Sequence, residues 1–394
     1  MQPPRRLYAM TGLTDAGSML TVFTITRILA DRDVAMIYIG LLGAAYMLGA
    51  SVATMVTGFM SDRLGRRSMM ALAMLMALMG TVGCFLWMDR TWLLTGCYIL
   101  TGTGTGGVYP PLMAWLTRNG TTKTARSVSD VTRRLFLFCL SWNLGIAFGQ
   151  AGGGAIYDDL GRQGPLLAAI LLFLCNLLLL LTLRGPSGGD TKPVKQVDRE
   201  NSMDFARLCW VANVGGTFSM SVIFHLFPLL AVDMKLPAGR QGLLVGLTRL
   251  LVVGIYLVMH WTQFWRRKFW VAVVAHISGI VGLGVIAMTA SEPGLMLGLA
   301  GLAVLVGYNY FAGLYYSTTG SSNAKRGFAM GIHEATLLLG AASGAAFGGI
   351  AGTALASVRI PYILAAMVVA TMLTIQIALY RQSMTVDRDS SGLE

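Results

Sequence analysis

Apolar stretches close to the length that crosses a bilayer recur from one end of this chain to the other, separated mostly by short polar breaks. A helix needs about 20 apolar residues to span the hydrocarbon core. Inside that core no backbone polar group can be left to water, so a chain written this way must pair its backbone within helices. Twelve windows satisfy the pattern, near 7–29, 37–60, 68–88, 92–116, 132–156, 164–183, 206–231, 240–261, 269–290, 294–317, 328–355 and 358–380. Charge agrees: Asp, Glu, Lys and Arg make up 12% of the 394 residues, about half the usual fraction in soluble domains. The chain is read as a polytopic, all-α membrane protein.

The net charge of +12 does not point to nucleic acid, because the basic residues fall in short loops between spans and not on a separate domain. With both termini on one side, 22 of the 30 Lys and Arg share that side, seven lie on the other and Arg249 lies within a span. The positive-inside rule makes the crowded face cytoplasmic. Cys84, Cys97, Cys139, Cys175 and Cys209 sit in or beside apolar segments with no CxxC and no clustered His. No metal and no cofactor is expected from such spacing, and these cysteines read as small buried hydrophobes. Met1–Arg6 is short and basic, and the span after it is too long and too polar for a removable signal, so the first helix is expected to stay.

One polar turn stands out. Residues 58–67 read GFMSDRLGRR: Gly58, three residues, Asp62, Arg63, one residue, Gly65, Arg66, Arg67. The glycines allow a tight turn, the acid is a helix-capping residue, and three arginines hold the loop on the basic face. A second regularity lies in the glycines. The fifth window carries Gly145, Gly149, Gly153 and Gly154, and the eleventh carries Gly340, Gly344, Gly348 and Gly349, the same spacing 195 residues later. Small residues four apart let helices approach closely in lipid, so the pattern reads as helix packing in two duplicated halves. Between the sixth and seventh windows, Arg184 to Asp204 is rich in Gly, Pro and charge, which suits a flexible linker.

The turn at 58–67 resembles, without a gap, the signature loop of the major facilitator superfamily of secondary transporters, and the motif pattern as a whole is similar to that of bacterial 12-helix efflux members. The resemblance implies twelve transmembrane helices in two pseudo-symmetric six-helix bundles: residues 1–183, a cytoplasmic linker at 184–205, and residues 206–394. It also implies a latch. In the family the acid of this loop, here Asp62, caps the eleventh helix when the cytoplasmic side is closed, and the arginines pair with carboxylates; Glu334, about two turns into that helix, is the expected partner of Arg66 or Arg67. The matching turn of the second half, His260 to Lys268, keeps Arg266, Arg267 and Lys268 but lacks the acid. Two departures bear on coupling. Tyr98 stands where many proton-coupled relatives carry arginine, and Gln150 replaces the proline of the antiporter glycine pattern on the fifth helix.

Ionisable residues inside spans are costly in lipid and tend to face a protein interior or a water cavity. Asp15 shares a face of the first helix with Thr11, Ser18 and Val22; a partly desolvated carboxylate there suits loading and releasing a proton, or satisfying a nearby break in the backbone. Arg249, near mid-membrane on the eighth helix, needs a partner. Either Asp15 or an anionic group of a solute fits that need. Asn213 and Thr217 on the seventh helix, and Tyr308 and Asn309 on the tenth, offer polar lining, while Tyr315 and Tyr316 lie near a span end and suit an interface. His225 and His276 are lone histidines that read as packed residues.

The expected function is therefore alternating-access transport of a small organic molecule, in the direction of proton-coupled efflux, with Asp15 as proton carrier and Arg249 as its partner or as a solute anchor. Uptake of an organic anion or a sugar, by symport or facilitated diffusion, is the alternative, and a non-transporting receptor on the same scaffold is a remote one. No enzyme chemistry is expected, since no nucleophile stands beside a base and no Gly-rich nucleotide loop is present. The expected partners are the solute, protons and the lipid bilayer, with no nucleic acid, in a monomer of the bacterial plasma membrane with both termini cytoplasmic.

Overall fold

The computed structural model describes residues 5–118, 128–183, 203–319 and 326–391. Twelve helices run through them: α1 Arg5–Asp31, α2 Met36–Leu64, α3 Arg66–Leu86, α4 Thr91–Arg118, α5 Val128–Leu160, α6 Gly164–Leu181, α7 Met203–Asp233, α8 Ala238–Trp261, α9 Phe269–Met288, α10 Glu292–Thr319, α11 Arg326–Ala354 and α12 Ile360–Ser391. Each apolar window falls on one helix, and several helices overrun their windows. Thus α12 continues to Ser391, because a helix goes on satisfying its backbone after it leaves lipid, whereas hydropathy senses only the buried stretch.

Among the described residues nine helices are long and apolar enough to cross a membrane; α1, α4 and α5 are not among them. The reason is visible in α1. Thr11, Thr14, Thr21, Thr24 and Thr26 are all buried, and each hydroxyl donates to the carbonyl four residues earlier in the same helix. Back-bonding of this kind lets hydroxyls enter an apolar interior without a missing partner. The hydroxyls of α1 thus mark protein-facing positions.

The helices pack as two groups of six with one pattern. In the first, α1 lies on α5 and α6, α4 on α2 and α3, and α3 on α6; in the second, α7 lies on α11 and α12, α10 on α8 and α9, and α9 on α12. The glycine stripes produce the matched crossings. Gly149 lies against Ala16 and Met19 of α1, and Gly153 against Phe23; Gly344 lies against Phe218 of α7, and Gly348 against Leu226 and Val222. The last glycine of each stripe turns to the other bundle, Gly154 to Ala238 and Gly239 of α8, and Gly349 to Met36 and Gly40 of α2.

The bundles meet along α5 with α8, α2 with α11, and α1 with α7. The end of the molecule that carries the α2–α3 and α8–α9 turns is the basic face. Several hydrogen bonds cross the seam at the opposite face. At the opposite face Arg27 Nη1 donates to the Leu236 carbonyl (3.1 Å) and to Gln241 Oε1 (2.9 Å), and its Nε binds Asp31 at 2.9 Å. The Ile37 amide donates to Thr353 Oγ1 at 2.8 Å, and the Gly239 amide to Asp158 Oδ2 at 2.8 Å. This face is closed. The stretch between the bundles expected to form the linker lies outside the described residues up to 202.

Candidate functional site

Asp15 sits ten residues into α1, about 15 Å from its start at 1.5 Å per residue, and is half-buried where the two bundles face each other. Its Oδ2 accepts the hydroxyl of Tyr109 from α4. Gly145 of α5 presses on the same spot: a Cβ there would lie 3.0 Å from the Asp15 Cβ. The glycine stripe therefore fixes the backbone that presents the acid. Nearby, Ser18 hydrogen-bonds Tyr46 (2.7 Å), which also meets Thr105 (3.1 Å), and Tyr98 is fully buried against the Tyr46 ring at 4.8 Å.

Arg249 is 3% exposed. Its Nη1 donates to Asn143 Oδ1 at 3.4 Å, and its guanidinium lies 4.7 Å from the Phe224 ring and 6.0 Å from Trp142. Asn143 Nδ2 in turn donates to the Cys139 carbonyl (2.9 Å) and toward the Tyr256 hydroxyl (3.5 Å). The cation is thus held by an amide and two aromatic faces, a setting that favours Arg over Lys. Asp15 and Arg249 form no ion pair within 4.0 Å among the described residues.

Tyr310 of α10 joins the halves. Its ring meets Trp142 edge-on at 5.0 Å and lies 6.4 Å from Tyr256 and 5.6 Å from His333. His333 Nδ1 is 3.0 Å from Asn213 Nδ2, and the adjacent Glu334 is half-buried. Arg249, through Trp142, and Asn213, through His333, are thereby brought to one aromatic wall. Tyr308 and Asn309 are turned elsewhere: Tyr308 packs edge-on to Trp265 at 6.5 Å, and Asn309 donates to the Ala212 carbonyl at 3.3 Å, a contact between α10 and α7. A helix advances about 100° per residue, so the neighbouring Tyr310 holds the face that was expected of these two. Tyr109, Trp142, Asn143, Phe224, Tyr256 and Tyr310 were not singled out from sequence. A signal exists for some of them, since Asn143 lies two residues before Gly145 and Tyr256 seven residues after Arg249, on its face.

The turn residues are placed by helix ends. Gly65 turns the chain with φ 88°, Arg66 Nη1 donates to the Ala114 carbonyl at 2.6 Å in the last turn of α4, and Arg67 Nη2 donates to the Leu181 carbonyl at 2.8 Å, the end of α6. Cations suit these carbonyl-rich ends. Arg63 lies over the Phe59 ring at 4.4 Å, and Gly58 is beside Pro110. The side chain of Asp62 lies outside the described residues. Pro110 and Pro111 lie within α4, and proline cannot donate to the carbonyl four residues back. The freed Gly106 carbonyl takes the Thr54 hydroxyl at 3.1 Å.

A pair of six-helix bundles that meet along small-residue seams, with ionisable and aromatic side chains gathered between them at mid-depth, defines a multi-pass membrane transporter. The sequence model of the Major Facilitator Superfamily matches residues 7–324, and the chain belongs to that family. Comparison with curated proteins gives no match. Among solved structures it is similar to a variant of the nucleoside transporter NupG, with TM-score 0.70, 12% identity, and 95% of this chain and 99% of that one covered. A bacterial homologue of the human lysosomal transporter Spinster, inward-facing and occupied, gives TM-score 0.71 at 16% identity, covering 96% of each chain. The human organic anion transporter MFSD10 (TETRAN) gives 0.64 at 15%, covering 95% of this chain and 100% of that one.

Proposed function

We propose that this transporter exports a small organic solute in exchange for protons, and that the solute carries a positive charge on an aromatic or apolar body. The observation that carries the reading is Asp15: a half-buried carboxylate, aimed by Tyr109 and set on a helix most of whose residues are buried within the protein. Asp15 is partly exposed, while the mid-depth cation Arg249 is covered by Phe224, Trp142 and Asn143. A carboxylate that binds a solute cation in one state and a proton in the other couples the two fluxes through a single group. Trp142 and Tyr310 supply rings suited to a cation's apolar body. In this reading the basic face is cytoplasmic, as the positive-inside rule requires, with both termini inside. The closed opposite face then belongs to an inward-facing state of a monomer in a bacterial plasma membrane. Asp62 and Arg66 serve the cytoplasmic latch, with α11 and Glu334 as partners, and residues 184–205 link the bundles.

A second reading rests on Arg249 itself: movement of Phe224 or Asn143 would bare a guanidinium suited to a carboxylate or phosphate, and uptake of an organic anion would follow. The structural neighbours include a nucleoside transporter and an organic anion transporter, which makes these solutes worth including. The test is purified protein in proteoliposomes with a trapped pH dye, challenged in turn with organic cations, organic anions and nucleosides. The proposal expects a cation to move protons and Asp15→Asn to abolish the response. An anion whose movement is lost in Arg249→Met but kept in Asp15→Asn supports the second reading instead.

A further inference from the structure

The α5–α6 turn repeats the α2–α3 turn. Residues 58–66 read GFMSDRLGR and residues 154–162 read GAIYDDLGR, with glycine, acid, leucine, glycine and arginine at the same five places. In both, the helix runs to the leucine, Leu64 of α2 and Leu160 of α5, and the next glycine reverses the chain at positive φ, 88° at Gly65 and 68° at Gly161. Both arginines then tie the turn to its own bundle. Arg66 reaches the Ala114 carbonyl, and Arg162 Nη1 reaches Asp89 Oδ1 at 2.8 Å. The two turns lie on opposite faces of the molecule, as an inverted three-plus-three repeat within one bundle places them.

The acid of the second turn is engaged across the seam. Asp158 Oδ2 accepts the backbone amide of Gly239 at 2.8 Å. Gly239 is the second residue of α8, and the N-cap position of α8 is Pro237, with no side-chain cap bond. A helix start leaves amide donors unpaired and carries partial positive charge. Here the missing acceptor comes from the other bundle. A Cβ at Gly239 would stand 2.6 Å from Asp158 Oδ2, so glycine is what admits the carboxylate. One turn back along α5, a Cβ on Gly154 would lie 3.0 Å from the Gly239 Cα, so the crossing and the cap form one joint.

We infer that Asp158 is a positioning residue of the transport cycle: by capping α8 across the seam it holds shut the face opposite the basic turn. Asp62, at the matching place of the first turn, is the acid that the proposed latch assigns to the basic face, so the two acids bias the bundles in opposite directions. The inference rests on the proposed latch only for the sign of the Asp62 effect and is independent of solute and coupling ion. It predicts more than a contact, because it assigns opposite effects to two residues that the sequence repeat makes equivalent.

The test measures the seam directly. Full-length protein with its native cysteines replaced and spin labels at Leu160→Cys and Leu355→Cys, on opposite bundles at the closed face, is reconstituted in nanodiscs. Distances are recorded without solute at one pH. Asp158→Ala should raise the ratio of long to short distances about three- to ten-fold, the worth of a lost cap, and Asp158→Asn, which keeps an acceptor and loses only the charge, should raise it less. Asp62→Ala should lower it, and Asp159→Ala, next to the cap but not in it, should leave it unchanged. Gly239→Ala, which keeps the acid but blocks its approach, should reproduce Asp158→Ala, and it decides the question if Asp158→Ala does not fold. Distributions unchanged in Asp158→Ala or in Gly239→Ala overturn the inference, whereas a rise in Asp62→Ala beside a rise in Asp158→Ala overturns the latch reading of Asp62 and supports the cap.

Discussion

The α1–α5 crossing and the α7–α11 crossing are built from the same glycine spacing, yet the first glycine of the stripe meets a carboxylate in only one of them. Gly145 lies against Gly12 and Asp15, whereas Gly340, its counterpart, lies against Val214 and Thr217. The Thr217 hydroxyl donates to the Asn213 carbonyl at 2.8 Å, so its polarity stays inside α7. Asp15 instead takes the Tyr109 hydroxyl from another helix and stays partly exposed between the bundles. At this glycine the packing is duplicated and the carboxylate is not. The reason is energetic: a hydroxyl can be satisfied within its own helix, but a carboxylate in the membrane interior needs donors or water from outside it.

The strongest way to break this comparison is to neutralise the charged copy. Asp15→Asn keeps the shape, and solute-driven proton movement should fall about 100-fold or more, within the range that general acid–base groups contribute. Thr217→Val should leave the same rate within about twofold, since it removes one bond internal to α7. Equal losses from both would mean that the two crossings share the chemistry. Dye-loaded proteoliposomes provide the readout for both variants.

The next effect is on stability and should be the same on both sides. A Cβ at Gly145 meets the Gly12 backbone, and one at Gly340 meets the Val214 backbone, so neither helix pair can accept alanine without moving apart. Each substitution should cost about 1–3 kcal/mol, the usual result of overpacking, seen as a lower thermal transition in detergent. The function of the folded remainder should differ. Gly145→Ala displaces the backbone next to Asp15 and should lower the number of protons moved per solute, whereas Gly340→Ala should not change it. Tyr109→Phe comes third. It removes one hydrogen bond to the carboxylate, worth about 1.5–3 kcal/mol for a charged acceptor, and should slow proton movement about tenfold without lowering the thermal transition as far as Gly145→Ala does.

Much of the scaffold could be read in the residues. Each apolar window lies on a helix, and the equal glycine spacing marked the matched crossings, because lipid imposes length and close packing imposes small residues. The site was harder. Asp15 and Arg249 announced themselves by charge alone, but Tyr308 and Asn309 belong to packing, while Tyr310, one residue on, meets Trp142, Tyr256 and His333. Hydrophobic periodicity could not separate these three positions, since α10 is apolar nearly all round and 17 of its 28 residues are buried. Asp158 was hidden for another reason. Its role lies in an amide that Pro237 leaves uncapped on a helix of the other bundle, and no local pattern joins the two.

The comparison extends to the two turns of the basic face, where the same division between shared shape and unshared charge gives the smallest predicted effect. The α2–α3 turn is fastened by charge, with Arg66 and Arg67 on the carbonyl ends of α4 and α6. The α8–α9 turn, which lacks the acid, is fastened by rings. Trp265 is buried and its indole donates to the Met259 carbonyl at 2.8 Å, Arg266 lies 4.7 Å from the Tyr315 ring, and the Arg267 amide, at φ 56°, donates to the Tyr316 hydroxyl at 2.7 Å. Tyr316→Phe keeps the ring and removes only the acceptor, so it should cost about 1 kcal/mol of stability and be insensitive to salt. Arg66→Gln should cost a similar amount, with a loss that shrinks as salt rises, because a charge at a helix end is screened and a neutral hydrogen bond is not. Thermal transitions of the two variants at low and high salt distinguish the fastenings. Equal salt dependence would show that the second turn also depends on charge, and that its missing acid is replaced by another ionic contact and not by the aromatic cluster.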